Sequence, residues 1–189
     1  ILIYISTMHL EILTKKQEEL LPLISTFSSE FGLVGGTSVA LQIGHRESID
    51  FDLFKKGSFD ILKIKKCINK FFPIDDVRVE NVDECTLKVN DVQLTFYNYP
   101  FDIKYEVKFE NVIAIPTLQT LGAMKAFALG KRAKWKDYVD LYFIFQVHTL
   151  NEVVHKATNI FGNEFNEKLF REQLSYHKDI DFTEEASYK

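Results

Sequence analysis

The chain has 189 residues, 46% apolar and 26% charged, a balance that suits one globular domain with a sizeable core and at most a small helical appendage. Its net charge of −4 excludes nucleic-acid binding by bulk charge, so any polyanion must meet a local basic patch. Two cysteines without metal-ligand spacing, Cys67 and Cys85, argue against a disulfide scaffold, and no apolar run reaches the roughly 18 residues that span a bilayer; both point to a cytoplasmic chain with no membrane partner.

Residues 1–7 precede the first methionine, Met8, and lack the basic leader of a signal peptide. They are set aside. Thr14 and Gln17 form a capping-box pattern ahead of a helix carrying Leu20, Leu21, Leu23, Ile24 and Phe27. Pro22 lies inside that helix and predicts a kink or break. Residues 31–34 read as a short buried strand running into Gly35-Gly36, with Thr37 as cap of a short helix that Gly44 ends. Residues 48–54 alternate: Ile49, Phe51 and Leu53 on one side, Ser48, Asp50 and Asp52 on the other.

A helix over about 58–72 carries the stripe Ile61, Ile64, Ile68, Phe71 and includes Cys67, read as a small buried hydrophobe. Three strand-like runs follow, DVRVENV, CTLKV and VQLTFYNY, with Asn90-Asp91 as the hairpin turn between the last two. Residues 111–115 read as a further strand. Pro116 and Thr117 open a helix to about 130, and KDYVDLYFIFQ forms another with Tyr138, Leu141, Tyr142 and Phe145 as its core stripe. Residues 150–176 read as helical and the last dozen as frayed. This order predicts an α+β fold, with a core over 8–115 and a helical part over 116–189 packed on it as one compact unit.

The chemistry concentrates in Gly35-Gly36-Thr37 and the Asp50/Asp52 pair. Residues two apart on a strand share a side, so two carboxylates stand close together and need neutralising charge. A hard cation supplies it, and Mg²⁺ takes one or two carboxylates plus phosphate oxygens. Glycines let backbone N–H groups approach a phosphate, and the start of the following helix favours an anion there, with Thr37 or Ser38 as further hydroxyl donors. Ser48 shares the Asp face and either touches a phosphate or supports the strand. Arg46 and His45 read as loop anchors. Lys125, at the edge of an apolar helix face beside Met124, Phe127 and Ala128, reads as a residue reaching into a cleft. Lys131, Arg132, Lys134 and Lys136 are either a solvated charge run or a grip on a polyanionic acceptor.

The segment GGTSVALQIGHRESIDFDLF resembles the signature of the polymerase-β-like nucleotidyltransferase superfamily, and its wording is similar to that of the AbiEii/AbiGii abortive-infection toxins. The later segment MKAFALGKRAKWKDYVDLYFIF resembles that family's lysine helix followed by R-x-x-x-K-D-x-x-D-L. The resemblance implies a mixed sheet flanked by helices and transfer of a nucleotidyl group from an NTP to an acceptor hydroxyl, in some relatives at the 3′ end of tRNA. It implies Mg²⁺ or Mn²⁺ on Asp50 and Asp52 and phosphates on Gly35, Gly36, Thr37, Ser38, Arg46, Ser48 and Lys125. Asp137 and Asp140 fall on the family's later acidic positions and are catalytic candidates: either, Asp140 in preference, completes the site or orients Lys125, or the two strand carboxylates suffice. It further implies a toxin of a bacterial toxin–antitoxin or phage-defence pair, with a cognate antitoxin as partner. One departure stands out: many members carry a third carboxylate on a later strand, where this chain has Gln93, Thr95 and Tyr97. A nucleotide-binding module without transferase activity and a metal-dependent phosphohydrolase are the competing readings.

Overall fold

The Thr14–Gln17 capping box forms and starts helix α1 (Lys15–Ser25). The computed structural model describes residues 8–176, 178 and 180–183. Helix α1 runs through Pro22 without a break, because its buried face, Leu20, Leu23 and Ile24, is fixed against the core on both sides of the proline. Strand β1 (Gly32–Val34) leads straight into helix α2 (Gly35–Ile43). Gly44 ends α2 in the left-handed region, as expected for a helix-terminating glycine. Helix α2 begins two residues earlier than the sequence pattern suggests. Thr37 is therefore inside its first turn rather than its cap, and among the described residues no side chain caps the helix.

Strand β2 (Phe51–Lys55) buries Phe51 and Leu53 completely. Ile49 departs from the expected alternation: it lies ahead of the strand and is 54% exposed. Helix α3 (Ile61–Ile68) is shorter than the 58–72 reading because Asp60, not Ser58, caps it, accepting from the Lys63 backbone N–H. Phe71 falls beyond its end and is exposed. Cys67 is half-buried, with its sulfur 3.3 Å from the Thr26 hydroxyl, whereas Cys85 is the fully buried cysteine.

Strands β3 (Asp76–Glu80), β4 (Glu84–Val89) and β5 (Val92–Asn98) follow. Asn90 and Asp91 both take positive φ, the geometry of the two-residue hairpin turn their sequence signals. A small hairpin, β6 (Val107–Phe109) and β7 (Ile113–Ile115), comes next. Strand β6 was not expected; at three residues it carries too little pattern to be read.

The main sheet has the order β1-β2-β5-β4-β3. Only β2 and β5 run parallel; the other neighbours are antiparallel, so the sheet is mixed. One face packs on α1 and α3 through Leu23, Ile24, Ile64, Ile68, Leu53, Leu87, Leu94 and Phe96. Phe27 and Phe31 meet the Phe96 ring edge-on at 4.9 and 5.4 Å. The opposite face carries Asp52, Thr95 and Thr86 in one row across β2, β5 and β4.

Helices α4 (Leu118–Leu129), α5 (Trp135–Ile144), α6 (Leu150–Phe161) and α7 (Glu167–Ser175) form the helical part. They share a second core with α2, built on Val39, Leu121, Leu129, Leu141, Ile144, Val153 and Phe170. On α5 the inward arc is Asp137, Asp140, Leu141 and Ile144; Tyr142, expected in the core, is 63% exposed. The expectation of a frayed last dozen residues falls partly outside the described residues. Within them, Asp181 exchanges backbone hydrogen bonds with Ala133 and Trp135.

Candidate active site

Strand β2 and the loop before it deliver Asp50 and Asp52 to a cleft of about 610 Å³. Gly35, Gly36, Arg46, Ser48, Lys125, Arg132, Lys134, Lys136 and Asp137 line the same cleft. Elements far apart in the chain thus meet at one place: the β1–α2 turn, the acidic strand, and the α4–α5 region.

The glycine turn fits tightly against the acidic strand. Gly35 has φ +72°, and a Cβ there would lie 2.0 Å from Asp52 Oδ2. A Cβ at Gly36 would lie 2.3 Å from Arg46 Nη2. Both positions therefore demand glycine for space, and Gly35 also for its backbone. We expect Gly35→Ala to destabilise the fold by about 1–3 kcal/mol, from the disfavoured φ and the displaced Asp52 side chain. Chemical denaturation of the variant beside the parent checks this; equal midpoints would refute it.

Thr37 and Ser38 do not reach the cleft. Thr37 is buried, and its hydroxyl donates to the Asp50 carbonyl oxygen, with the Ser48 hydroxyl at 3.0 Å. It locks α2 to the segment that presents Asp50. Ser38 is fully buried, and among the described residues its hydroxyl has no hydrogen-bond partner. Gln17, which the sequence offered only as part of a cap, reaches across from α1 and donates its side-chain amide to the Ser48 carbonyl oxygen at 2.8 Å.

Behind the carboxylate pair lies a buried charge cluster. Lys125 Nζ stands 2.7 Å from both Asp137 and Asp140. Asp140 also accepts two bonds from Arg46, at 2.7 and 3.0 Å, and lies 2.8 Å from His45 Nε2. Arg132 Nε donates to Asp137 at 3.0 Å. Burial opposes ionisation of Asp140, yet Lys125, His45 and Arg46 hold its pKa far below the carboxylate range. Burial likewise works against charge on Lys125, but Asp140 and Asp137 overcome it and raise its pKa. Three permanent cations, Lys125, Arg46 and Arg132, stand against two carboxylates, so the cluster faces the cleft with a net positive charge.

Asp52 behaves in the opposite way. Burial, and then the like charge of Asp50, push its pKa up to about 6. A buried carboxylate whose proton affinity a neighbouring carboxylate raises is a donor set that a divalent cation relieves. Among the described residues no group of three or more His, Cys, Asp or Glu is arranged to hold a metal ion. The β5 residue paired with Asp52 is Thr95, so this strand sets a hydroxyl, not a carboxylate, beside Asp52.

Sequence reasoning missed Arg78, Glu84 and Thr86, which also line the cleft. The Thr86 hydroxyl donates to Glu84 Oε1 at 2.8 Å. Glu84 is visible in the sequence only as part of the β4 alternation. Its approach to the site depends on the pairing Glu84↔Tyr97, which no local pattern specifies. Lys131 lies just outside the cleft, its Nζ 4.1 Å from the centre of the Phe127 ring.

A mixed sheet flanked by helices is the architecture of the nucleotidyltransferase fold. Solved structures with that architecture superpose on this chain. MenT4, a nucleotidyltransferase toxin of Mycobacterium tuberculosis H37Rv, matches at a TM-score of 0.62 with 16% identity, over 87% of this chain and 72% of its own. The antibiotic-resistance factor ANT(2'')-Ia matches at 0.55 with 9% identity, over 77% of this chain and 92% of its own. In sequence, an uncharacterised protein of Aquifex aeolicus (strain VF5) is 28% identical over 142 residues, 72% of this chain and 68% of that protein. The profile described as nucleotidyl transferase AbiEii toxin, type IV TA system, matches residues 23–187. The chain belongs to the AbiEii nucleotidyltransferase toxin family and is a nucleotidyltransferase.

Proposed function

We propose that Asp50 and Asp52 bind Mg²⁺ or Mn²⁺, and that the Gly35-Gly36 turn, Ser48 and Lys125 hold the triphosphate of an NTP. The nucleotidyl group then passes to an acceptor hydroxyl on RNA, with the 3′ end of tRNA as the leading candidate. The observation that carries this reading is the convergence of Gly35, Gly36, Asp50, Asp52 and Lys125 on one cleft. Bound there, a divalent cation would activate the acceptor hydroxyl and neutralise charge on the departing pyrophosphate. The uncapped start of α2 favours phosphate oxygens. Lys125 has three donors; Asp137 and Asp140 engage it and fix its direction, which makes them positioning residues. Arg46 is committed to Asp140, and its contribution to the phosphates is positive potential from behind the glycine turn.

Arg132, Lys134 and Lys136 also line the cleft and suit a polyanionic acceptor. RNA affinity then falls steeply with salt. In the cell this activity serves a toxin of a toxin–antitoxin or phage-defence pair, acting in the cytoplasm and restrained by a separately encoded antitoxin. The core over 8–115 and the helical part over 116–189 work as one unit, because the site draws on both.

The test is incubation with labelled NTPs, Mg²⁺ and total RNA. Label on RNA supports transfer. Free phosphate alone points to a phosphohydrolase, and binding without turnover to a nucleotide-binding module. A pH dependence also follows. Asp52 must be ionised to bind a cation, and its proton leaves at about 6 in the metal-free chain. Mg²⁺ affinity should be full well above pH 6 and fall by roughly tenfold per unit as pH drops below it. Calorimetric titrations between pH 5 and 8 read this directly, and a flat affinity would contradict it.

A further inference from the structure

A second cavity, of about 380 Å³, adjoins the cleft and shares Gly35, Asp52, Lys125 and Arg132 with it. Its distinctive wall is aromatic. Phe54 at the end of β2 and Tyr97 and Tyr99 on and after β5 group their rings at centroid distances of 5.1, 5.3 and 6.1 Å. The wall is buttressed from behind: the Tyr105 hydroxyl donates to the Phe54 carbonyl oxygen at 2.9 Å, and Tyr99 packs edge-on against Phe101 and Phe161. Met124 and Ala128 of α4 line the same cavity. Phe54, Tyr97 and Tyr99 all remain only partly buried, so a fixed aromatic surface is left open beside the carboxylate pair.

We infer that this slot holds the nucleobase of the donor NTP, stacked on the Phe54–Tyr97–Tyr99 wall with α4 closing the other side. The inference rests on the proposed triphosphate site. The residues assigned there to phosphate and metal, Gly35, Asp52 and Lys125, also line the slot. A nucleotide with its phosphates in the cleft can therefore reach this wall with its base. The chemistry matched is that of a flat heteroaromatic ring: stacking on aromatic side chains is favourable for purines and pyrimidines alike, because each base presents a π-face.

The experiment compares dissociation constants, with Mg²⁺ present, for an NTP and for inorganic tripolyphosphate, which lacks a base. The parent chain should bind the NTP at least tenfold tighter. Tyr97→Leu should weaken NTP binding by roughly tenfold or more, leave tripolyphosphate binding unchanged, and be rescued by Tyr97→Phe. Ala128→Phe, which fills the slot from the other side, should give the same selective loss. Tripolyphosphate binding reports that each variant is folded.

Equal affinity of the parent chain for NTP and tripolyphosphate overturns the slot while sparing the phosphate site. NTP binding unchanged in Tyr97→Leu and Ala128→Phe also overturns it; if transfer to RNA is then lost, the wall belongs to the acceptor's base. If the parent chain binds neither ligand, the triphosphate reading itself fails, and the slot with it.

Discussion

Asp52→Asn is expected to lower nucleotidyl transfer by at least about a thousandfold while leaving the fold intact, and Asp50→Asn to do the same. The amide keeps the shape of the side chain but removes the charge that holds the cation, and with it several kcal/mol of transition-state stabilisation. The fold should gain slightly from Asp52→Asn. Asp52 is destabilised as a carboxylate by burial and by Asp50, which is why its pKa stands at about 6. A raised acid pKa means that ionisation costs stability as pH rises above the ordinary carboxylate value, and a neutral amide escapes that cost. The combined signature, lost activity with unchanged or raised melting temperature, separates a metal ligand from a structural acid. Full transfer in both variants would refute the metal assignment.

Asp140→Asn should fail in the other direction, by losing stability. Asp140 is fully buried and meets Lys125, Arg46 and His45. Replacing it leaves two permanent cations enclosed, with Asp137 the only carboxylate among the described residues paired to one of them. Removing one member of a buried ion pair typically costs about 3–5 kcal/mol. For a chain of this size that corresponds to a fall in melting temperature of roughly 6–20 °C. The cause is the stranded charges rather than lost packing, so Asp140→Glu, which keeps the charge but overfills the site, should recover part of the loss. A melting temperature within a degree or two of the parent in Asp140→Asn would show that the cluster contributes little.

The acidic strand, the glycine turn and the lysine helix were legible because each is a local pattern with a physical reason. Asp50 and Asp52 sit two apart at the start of a strand, Gly35 and Gly36 mark the junction of strand and helix, and Lys125 edges an apolar stripe. The capping box at Thr14 and the turn at Asn90-Asp91 were legible on the same ground. What stayed hidden depends on contacts between distant residues. The bidentate Arg46–Asp140 pair spans 94 positions, and nothing near Arg46 in the chain indicates which carboxylate it meets.

The departures have the same origin. Thr37 looks like a cap until the carbonyl oxygen of Asp50 claims its hydroxyl. Tyr142 looks like core until Asp137 and Asp140 take the inward arc of α5. Tyr97 and Tyr99 look like ordinary strand residues until they line one cavity with residues of α4.

The most direct measurement is the anomalous diffraction of Mn²⁺ in crystals grown with a non-hydrolysable NTP analogue. Peaks between the Asp50 and Asp52 carboxylates, with phosphate density against the Gly35-Gly36 backbone and Lys125, are the result this account predicts. Manganese bound elsewhere, or a nucleotide that leaves the glycine turn untouched, would contradict it.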